Sequence, residues 1–316
     1  MQPWNEFWPE FLEREQLEYT VTAMNAADKE LGRTQFIEDI CRSVYEQYDM
    51  TDEVRLKQVR KDFLELLSSI DHIHLSTSRV KTISSILRKI ITKRNLKLAD
   101  KKSPYSSITA DTYQNALTDL VGVRIILSYR GDWVEVHDRL LSLFPLRAKE
   151  DYSCGILAHE SGQAFIAEWP KAYHAKNDDV EAYRKKGLDI VEHEKGYRSV
   201  HYIISYCDTY IELQIRTIYD EAWSDVDHRY VYKQEANPSN DALKLLSKNL
   251  CALTNLSNDI GEQIKTVFDG ACMSKIGDDN RWRVSRECKD FFLSVITRLE
   301  KCCKDFSDMC EQMELE

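Results

Sequence analysis

The chain has 316 residues, of which 43% are apolar and 30% are charged, and its net charge is −10. An apolar fraction of this size supports a real core and excludes wholesale disorder. The length suits one large domain or two smaller ones. The acidic balance argues against a protein that coats nucleic acid with its whole surface.

The cysteines and the apolar runs bear on the cellular compartment. The nine cysteines form no CxxC pair and no Cys/His ligand spacing, which is typical of reduced thiols in the cytosol. No apolar run approaches the roughly 18–20 residues of a membrane span. The segment 1–10 is acidic and aromatic, unlike a signal peptide. We therefore expect a cytoplasmic protein with no membrane partner.

The first third of the chain is predicted to be helical. Apolar residues at helical spacing predict an N-terminal helical segment over 1–70 without a chemical role. A second helical unit is predicted over 75–98. At about 100° per residue its apolar side chains share one side and its polar ones the opposite side, namely Ile83, Ile86, Leu87 and Ile90 against Lys81, Ser85, Arg88 and Lys89. This basic face is either solvated or grips phosphate.

Cations are concentrated in one block of this otherwise acidic chain. The segment Arg79–Lys102 carries many lysines and arginines against the single acid Asp100. A basic block in an acidic protein indicates a local site for a polyanion.

The middle of the chain alternates strands and helices. A strand is predicted over Thr118–Tyr129, with Asp119 at its start and Arg124 on its polar face. A helix over Trp133–Phe144 should end at Pro145. The stretch 146–195 is the least readable, with short strand-like runs and a loop expected near 178–194.

Two further strands form a predicted hairpin. The first spans Tyr197–Tyr206, a short turn covers Cys207–Thr209, and the second spans Tyr210–Thr217. The second strand alternates strictly, and its two faces carry Ile211, Leu213 and Ile215 on one side and Glu212, Gln214 and Arg216 on the other. A carboxylate, an amide and a guanidinium in a row suit either a solvated face or one that holds a metal ion and phosphate oxygens.

The last part of the chain is predicted to be helical. A helix begins at Ile218, and further helices follow over 241–316. An apolar stripe at helical spacing is expected to pack on the domain rather than against a partner, and it consists of Phe291, Phe292, Val295, Leu299, Cys302, Phe306 and Met309.

Five motifs stand in a recognisable order. They are Arg79-Val-Lys81-Thr-Ile-Ser-Ser85-Ile-Leu-Arg-Lys89, Asp119-Leu-Val-Gly122-Val-Arg124, Lys195-Gly196-Tyr197-Arg198-Ser199-Val-His201, Glu212-Leu-Gln214-Ile-Arg216-Thr217, and Trp223…Asp227-His228…Tyr232-Lys233. This order resembles the synthetase domain of the RelA/SpoT homologue family, and in size the small alarmone synthetases, including toxic members.

The resemblance implies a fold class and a domain organisation. The fold would be α+β, a mixed β-sheet flanked by helices and nucleotidyltransferase-like, with helical N- and C-terminal extensions. The N-terminal segment would span 1–70, the synthetase core 71–236 and the C-terminal helical extension 237–316.

The resemblance also implies a reaction and roles for residues. The enzyme would be an ATP-dependent pyrophosphokinase that moves the β,γ-pyrophosphate of ATP to the 3′-hydroxyl of GDP or GTP, with Mg²⁺ as cofactor. The implied roles are ATP binding by Arg79, Lys81, Ser85, Lys89 and Arg124, Mg²⁺ binding and catalysis by Asp119 and Glu212, and acceptor binding by Lys195, Tyr197, His201, Gln214 and Arg216.

The types of residue agree with these roles without the resemblance. Two acids, a basic face and an aromatic ring are what transfer between two nucleotides requires. Plain structural roles stay open, since Asp119 also suits a cap between helix and strand, Tyr197 a core position and His201 a satisfied structural histidine. The chain has no GxxxxGK[ST], so ATP would be held without a P-loop.

The chain departs from the family pattern before its acceptor motif. Lys195 stands where an amide is common, and the stretch 151–194 is unlike a short loop. The tRNA 3′ end or an adenine nucleotide therefore stays open as the acceptor, and so does an inactive nucleotide-binding module. The resemblance also leaves open a homo-oligomer and an antitoxin partner.

Overall fold

The structure is a computed structural model, and it describes most of the chain around a six-stranded sheet. The described residues are 2–30, 32, 36–48, 50–97, 105, 108–176, 178–231, 241–268, 273–275, 282–284 and 286–311. The strands of the sheet are β1 (Ile73–Val80), β2 (Val121–Leu127), β3 (Phe165–His174), β4 (Asp189–Glu192), β5 (Ser199–Tyr206) and β6 (Thr209–Thr217).

The sheet is mixed, and its centre pairs strands that lie far apart in sequence. The strand order is β1-β2-β6-β5-β3-β4. The pairs β2–β6 and β3–β4 are parallel, and the others are antiparallel. Parallel neighbouring strands need a crossover connection. The segment between β2 and β6 supplies it with a helix and the strands β3 and β5.

Helices pack on this sheet from both ends of the chain. They are α1 (Trp4–Glu15), α2 (Glu18–Glu30), α3 (Ile37–Gln47), α4 (Met50–Leu67), α5 (Ile83–Lys97), α6 (Tyr113–Ala116), α7 (Trp133–Leu143), α8 (Glu181–Lys185), α9 (Ile218–Val226), α10 (Asp241–Phe268) and α11 (Arg286–Glu311). Short 3₁₀ turns cover Arg130–Asp132 and Lys149–Cys154, and a π turn covers Asp227–Val231. The α+β class with helical ends is confirmed.

The core explains why these segments take these forms. The predicted apolar side of α5 is buried at Ile86, Leu87 and Ile90, which lie in one cluster with the inward side chains of β2 and β6. A strand packs on one face through alternate residues, and a helix through residues three or four apart. The predicted periods of β6 and α5 therefore match the buried faces of both elements.

The β5–β6 hairpin turns in two residues, one fewer than predicted. Tyr206 pairs with Thr209, and the loop residues Cys207 and Asp208 have φ of 48° and 51°. Two successive left-handed residues are the geometry of a type I′ turn, whose twist matches that of the flanking strands. The hairpin forms without the Asn-Gly pair that usually marks such a turn.

Three sequence-based assignments are wrong. The segment before α5 is the strand β1 rather than helix, so Arg79 lies on a strand and Lys81 in a loop. The loop expected near 178–194 contains α8 and β4, and β3 precedes it. The C-terminal part also contains the hairpin β7 (Met273–Lys275) and β8 (Trp282–Val284).

The apolar stripe of α11 is only partly packed. Val295 is buried against α10, whereas Phe292 and Leu299 are 43% and 40% exposed. The side chains of Cys302, Phe306 and Met309 lie outside the described residues, as do Tyr232, Lys233 and the predicted domain boundary at 236/237.

The length and hydropathy of the helices bear on whether any of them could cross a membrane. Within the described parts of the chain, none is both long and apolar enough to cross a bilayer.

Candidate functional site

One carboxylate with two ammonium groups forms the centre of the candidate site. Asp119 precedes β2 and is 9% exposed. Its two oxygens each lie 2.7 Å from a lysine, Oδ2 from Lys81 Nζ and Oδ1 from Lys89 Nζ. The backbone brings these three groups together. The N–H of Lys81 donates to the carbonyl of Leu120 at 2.8 Å, and α5, which carries Lys89, begins shortly afterwards. The basic motif that contains Lys81 and Lys89 and the motif that contains Asp119 therefore converge.

The electrostatics of this cluster keep Asp119 charged. Burial alone would raise the pKa of its carboxyl, but Lys89 and Lys81 outweigh burial and hold that pKa below its usual value. Burial lowers the pKa of Lys81, and the neighbouring Asp119 opposes this. Asp119 is therefore paired with both lysines, and the three groups together keep one positive charge in excess.

Glu212 on β6 lies close enough to Asp119 to feel its charge, and its pKa shifts in the opposite direction. Its pKa is raised, first by burial and then by the charge of Asp119. The parallel register pairs Glu212 with Gly122, three residues after Asp119. The side chain of Arg79 lies over Gly122, since a Cβ there would be 3.6 Å from it, and the charge of Arg79 opposes the rise in the pKa of Glu212. Two acids with diverging pKa values suit separate roles in one reaction.

A polar row crosses the sheet beside these acids. Arg124 on β2 pairs in register with Gln214 on β6, which pairs with His201 on β5. The side chain of Gln214 also donates to Glu212 Oε2 at 3.2 Å. Four predicted residues therefore share one face of three adjacent strands.

Arg216 contacts other residues of the predicted acceptor side. It is 7% exposed, and it donates through Nη2 to Gln214 Oε1 at 2.7 Å and to the hydroxyl of Tyr197. Its guanidinium lies 4.8 Å from the centre of the Tyr197 ring. Because the hydroxyl accepts from Arg216, its own proton is available for His201 Nε2 at 2.9 Å. The aromatic ring is thereby held by a cation on one side and an imidazole at its hydroxyl.

His201 is a neutral acceptor rather than an acid in this arrangement. Burial lowers its pKa to about 3, and the charges of Arg216, Lys171 and Arg124 add to the effect. A neutral imidazole can accept the proton of the Tyr197 hydroxyl. Both the structural interpretation and that of an acceptor-side contact fit this geometry.

Glu221 is a site residue that sequence reasoning missed. It lies in the first turn of α9, where Oε1 accepts from Arg124 Nη1 and Oε2 accepts from Arg216 Nη1 at 2.9 Å. Thr217 caps the helix, with its hydroxyl accepting from the N–H of Asp220 at 3.2 Å. An acid in a first helical turn usually serves the helix dipole, so nothing in the sequence distinguished Glu221 from an ordinary helix-start residue.

Two of the predicted residues lie apart from these clusters. Ser85 is exposed, and its hydroxyl bonds to that of Thr82 at 2.9 Å. Lys195 lines a separate cavity of about 1080 Å³ beside α10.

The loop that carries Tyr197 is anchored from behind by α10. Arg198 pairs with both oxygens of Asp178, through Nε at 2.7 Å and Nη2 at 2.9 Å, and it also donates to the carbonyl of Gly196 at 3.1 Å. Cys251 of α10 packs on the same carbonyl, with its sulfur 3.6 Å away. The C-terminal helices therefore contribute to the position of the predicted acceptor loop.

Asp119 and Glu212 are the two predicted ligands of Mg²⁺. Among the described residues no cluster of three His, Cys, Asp or Glu side chains could hold a metal. Asp119 and Glu212 are two carboxylates on one cleft, and Mg²⁺ is usually bound by one or two carboxylates together with substrate phosphates and waters. The residues thus fit a Mg²⁺ ion that arrives with a polyphosphate, and not a metal cage made by the protein alone.

Gly196→Ala should destabilise the loop for two separate reasons. Gly196 has φ of 81°, and a Cβ there would lie 2.8 Å from Cys251 Sγ. Gly187→Ala is the matched control, because Gly187 has φ of 76° but no atom within 4 Å of its Cβ position. Urea unfolding should give a loss of about 1–3 kcal/mol for Gly187→Ala and a larger loss for Gly196→Ala. Equal losses would show that the contact with Cys251 costs nothing.

His201 should make the protein acid-sensitive. Its pKa is about 3 when folded against 6.5 when free, so the unfolded chain binds more protons between these values. Stability is therefore lost as the pH falls from about 6.5 towards 3, by up to about 1.4 kcal/mol per pH unit. His201→Gln should reduce the slope of unfolding free energy against pH over this window. An unchanged slope would contradict the neutral buried imidazole.

Comparisons with known proteins agree with the motif order. A family profile described as "Region found in RelA / SpoT proteins" matches residues 78–237, just over half of the chain. No curated protein sequence matches the chain significantly.

Solved structures give weaker likenesses. Small alarmone synthetase 1 from Bacillus subtilis, bound to its product pppGpp, is 20% identical over 72% of this chain and 95% of that chain, with a TM-score of 0.39. The protein smu.1046c from Streptococcus mutans UA159 is 19% identical over 72% and 95%, with a TM-score of 0.42. A GTP pyrophosphokinase family protein from Streptococcus pneumoniae is 20% identical over 73% and 90%, with a TM-score of 0.39.

The assignment rests on the profile, because these structural likenesses are below 25% identity and below a TM-score of 0.5. The match begins within β1 and includes Asp119 before β2, Tyr197 before β5 and Glu212 on β6. The chain belongs to the RelA/SpoT family.

Proposed function

We propose that this chain transfers the β,γ-pyrophosphate of ATP to the 3′-hydroxyl of GDP or GTP, and so makes an alarmone. Family membership supports a pyrophosphokinase-like enzyme of alarmone synthesis in general. The observation that carries the finer proposal is the pair of neighbouring acids: Asp119 is held charged between Lys81 and Lys89, and the pKa of Glu212 is raised by burial and by the charge of Asp119.

The donor side follows from the lysine cluster. Lys81 and Lys89 are tied to Asp119 while no polyphosphate is present. The phosphate oxygens of ATP offer them stronger and more numerous acceptors, so we expect both ammonium groups to turn towards the nucleotide. Asp119 would then be free to hold Mg²⁺, which neutralises charge on the phosphates when bound.

The chemical step follows from Glu212. In the transfer, the 3′-oxygen of the acceptor attacks the β-phosphorus, the bond from that phosphorus to the oxygen shared with the α-phosphate breaks, and AMP leaves with the electron pair. The proton of the hydroxyl passes to Glu212. A carboxyl with a raised pKa is a better proton acceptor than an ordinary one, which supports this role.

The acceptor side depends on Tyr197. Its ring is partly exposed, and its hydroxyl is fixed by Arg216 and His201. A ring held in this way loses little freedom when a base stacks on it, which supports the stacking role. Gln214 and Arg216 lie beside it in the same cleft.

Several cations of the segment 79–102 are paired with acids, and this favours a nucleotide over the tRNA 3′ end as the acceptor. Arg94 is buried in a pair with Asp28 at 2.9 Å, and Arg88 lies 3.5 Å from Glu15. Together with the lysines on Asp119, these pairs leave less free positive charge for a long polyanion than the sequence indicated. An inactive binding module is disfavoured because it would not need two neighbouring acids.

A transfer assay tests the function. The purified protein receives ATP labelled in its terminal phosphate with Mg²⁺, and GDP, GTP, ADP and deacylated tRNA are offered separately. We expect label in a guanosine tetra- or pentaphosphate, and Glu212→Gln should lower that rate by about 10²–10⁴-fold. Glu53→Gln is the matched control, because Glu53 pairs with Lys57 on the exposed side of α4.

Each other outcome of that assay rejects part of the proposal. Label on ADP or tRNA alone would keep the chemistry and replace the acceptor. Transfer to none of them would favour the binding module. Full turnover in Glu212→Gln would remove Glu212 from the chemical step.

Substitutions on the two sides should separate donor from acceptor binding. Tyr197→Ala should raise the KM for the acceptor about 5–150-fold with little change for ATP, since base stacking is worth about 1–3 kcal/mol. Tyr197→Phe keeps the ring and should retain most of the acceptor affinity. Lys81→Ala should raise the KM for ATP instead, with Lys57→Ala as the exposed control. An unchanged acceptor KM in Tyr197→Ala would contradict the stacking role.

A further inference from the structure

Glu221 joins the two sides of the cleft through a single carboxylate. One oxygen accepts from Arg124 on β2, and the other accepts from Arg216 on β6. The side chain of Glu221 is 24% exposed, against 35% for Arg124 and 5% for Arg216. The more accessible guanidinium is therefore the one on the donor side.

The two arginines lead to different parts of the site. Arg124 is the last residue of the motif that begins at Asp119 and is a candidate for contact with ATP. Arg216 holds Tyr197 and Gln214, which belong to the acceptor side. A change in the pairing of Glu221 at one arginine can thus reach the other side through one shared group.

Both guanidiniums are incompletely satisfied in this state. The Nε atoms of Arg124 and Arg216 are buried and have no hydrogen-bond partner among the described residues. Buried donors without partners are rare in folded proteins and cost free energy. A rearrangement that gives each Nε–H an acceptor would be favourable, but Glu221 cannot lie bidentate against both guanidiniums at once, because each of its oxygens faces a different arginine.

We infer that Glu221 is a positioning residue that couples donor binding to order on the acceptor side. When a phosphate or the base of ATP binds Arg124, the carboxylate of Glu221 no longer pairs with that arginine and pairs with Arg216 alone. Two oxygens then face one guanidinium, which is the stronger bidentate arrangement. Arg216 is fixed more firmly, and so is the Tyr197 ring that it carries.

This inference rests on the proposed function, and binding measurements can separate the two. The affinity of the full chain for GDP would be measured by calorimetry, with and without a saturating non-hydrolysable ATP analogue and Mg²⁺. We expect the analogue to tighten GDP binding at least about fivefold, and GDP to tighten the analogue by the same factor. In Glu221→Gln both factors should fall to within twofold of one.

The matched control is Asp225→Asn. Asp225 lies on the same helix and pairs with Arg229 at 3.0 Å on its exposed side, away from the cleft. This variant should keep the coupling of the unaltered protein. Glu221→Asp, which keeps the charge, should restore part of the coupling that Glu221→Gln loses.

A second variant gives an expectation of opposite sign that a loss of folding would not produce. Arg124→Gln removes the competing guanidinium and leaves Glu221 to Arg216 permanently. Without the ATP analogue, this variant should bind GDP at least about fivefold more tightly than the unaltered protein. A structural defect would instead weaken GDP binding.

The outcomes divide cleanly. Binding of both nucleotides without coupling in the unaltered protein would overturn the inference and leave the proposed function intact. Coupling that survives in Glu221→Gln, or weaker GDP binding in Arg124→Gln, would overturn it as well. Failure of either nucleotide to bind would reject the proposed function, and the inference with it.

Discussion

The parallel pairing of β2 with β6 is the constraint on which the candidate site depends. These strands lie far apart in the sequence, with β3, β4 and β5 between them. Gly122 nevertheless lies opposite Glu212, and Arg124 lies opposite Gln214. A shift of this register by one residue would turn Glu212 into the core and Leu213 into the cleft. The buried residues on the other face, Ile211, Leu213 and Ile215 in β6, oppose such a shift, so the hydrophobic core fixes the position of the acid.

The second general property of the site is that two of its acids are each paired with two cations. Asp119 is shared by two lysines, and Glu221 by two arginines. Isolated buried charges would be costly, and internal partners avoid that cost while the cleft is empty. Binding of a polyphosphate then becomes an exchange of partners rather than a simple attraction. The free energy gained is the difference between phosphate and carboxylate as acceptors, which is smaller than either interaction alone.

Sequence reasoning located the elements whose period is set by a single buried face. The strand β6 and the apolar side of α5 were predicted because alternate or i, i+3 residues point to one core. β1 was mistaken for helix because it is an edge strand: most of its side chains are exposed, and its Ser, Thr, His and Arg residues show no period of two. The strand β4 was missed and β3 was recognised only as a short strand-like run at its start, since charged residues such as Glu168 and Lys171 interrupt the apolar run of β3.

The candidate site was predictable only where a residue type carries its own chemistry. Glu212 stands in the polar row of a predicted strand, and Asp119 stands in a motif that resembles the family's, so both were predictable from the sequence. Lys81 was placed on a helical face, and it reaches Asp119 only because the chain turns between β1 and α5. Glu221 gives no such signal, because its role is defined by two partners on strands distant from it in sequence. A shared carboxylate is a property of the fold, and the coupling inferred for it follows from the stoichiometry of two guanidiniums and one pair of oxygens rather than from any motif.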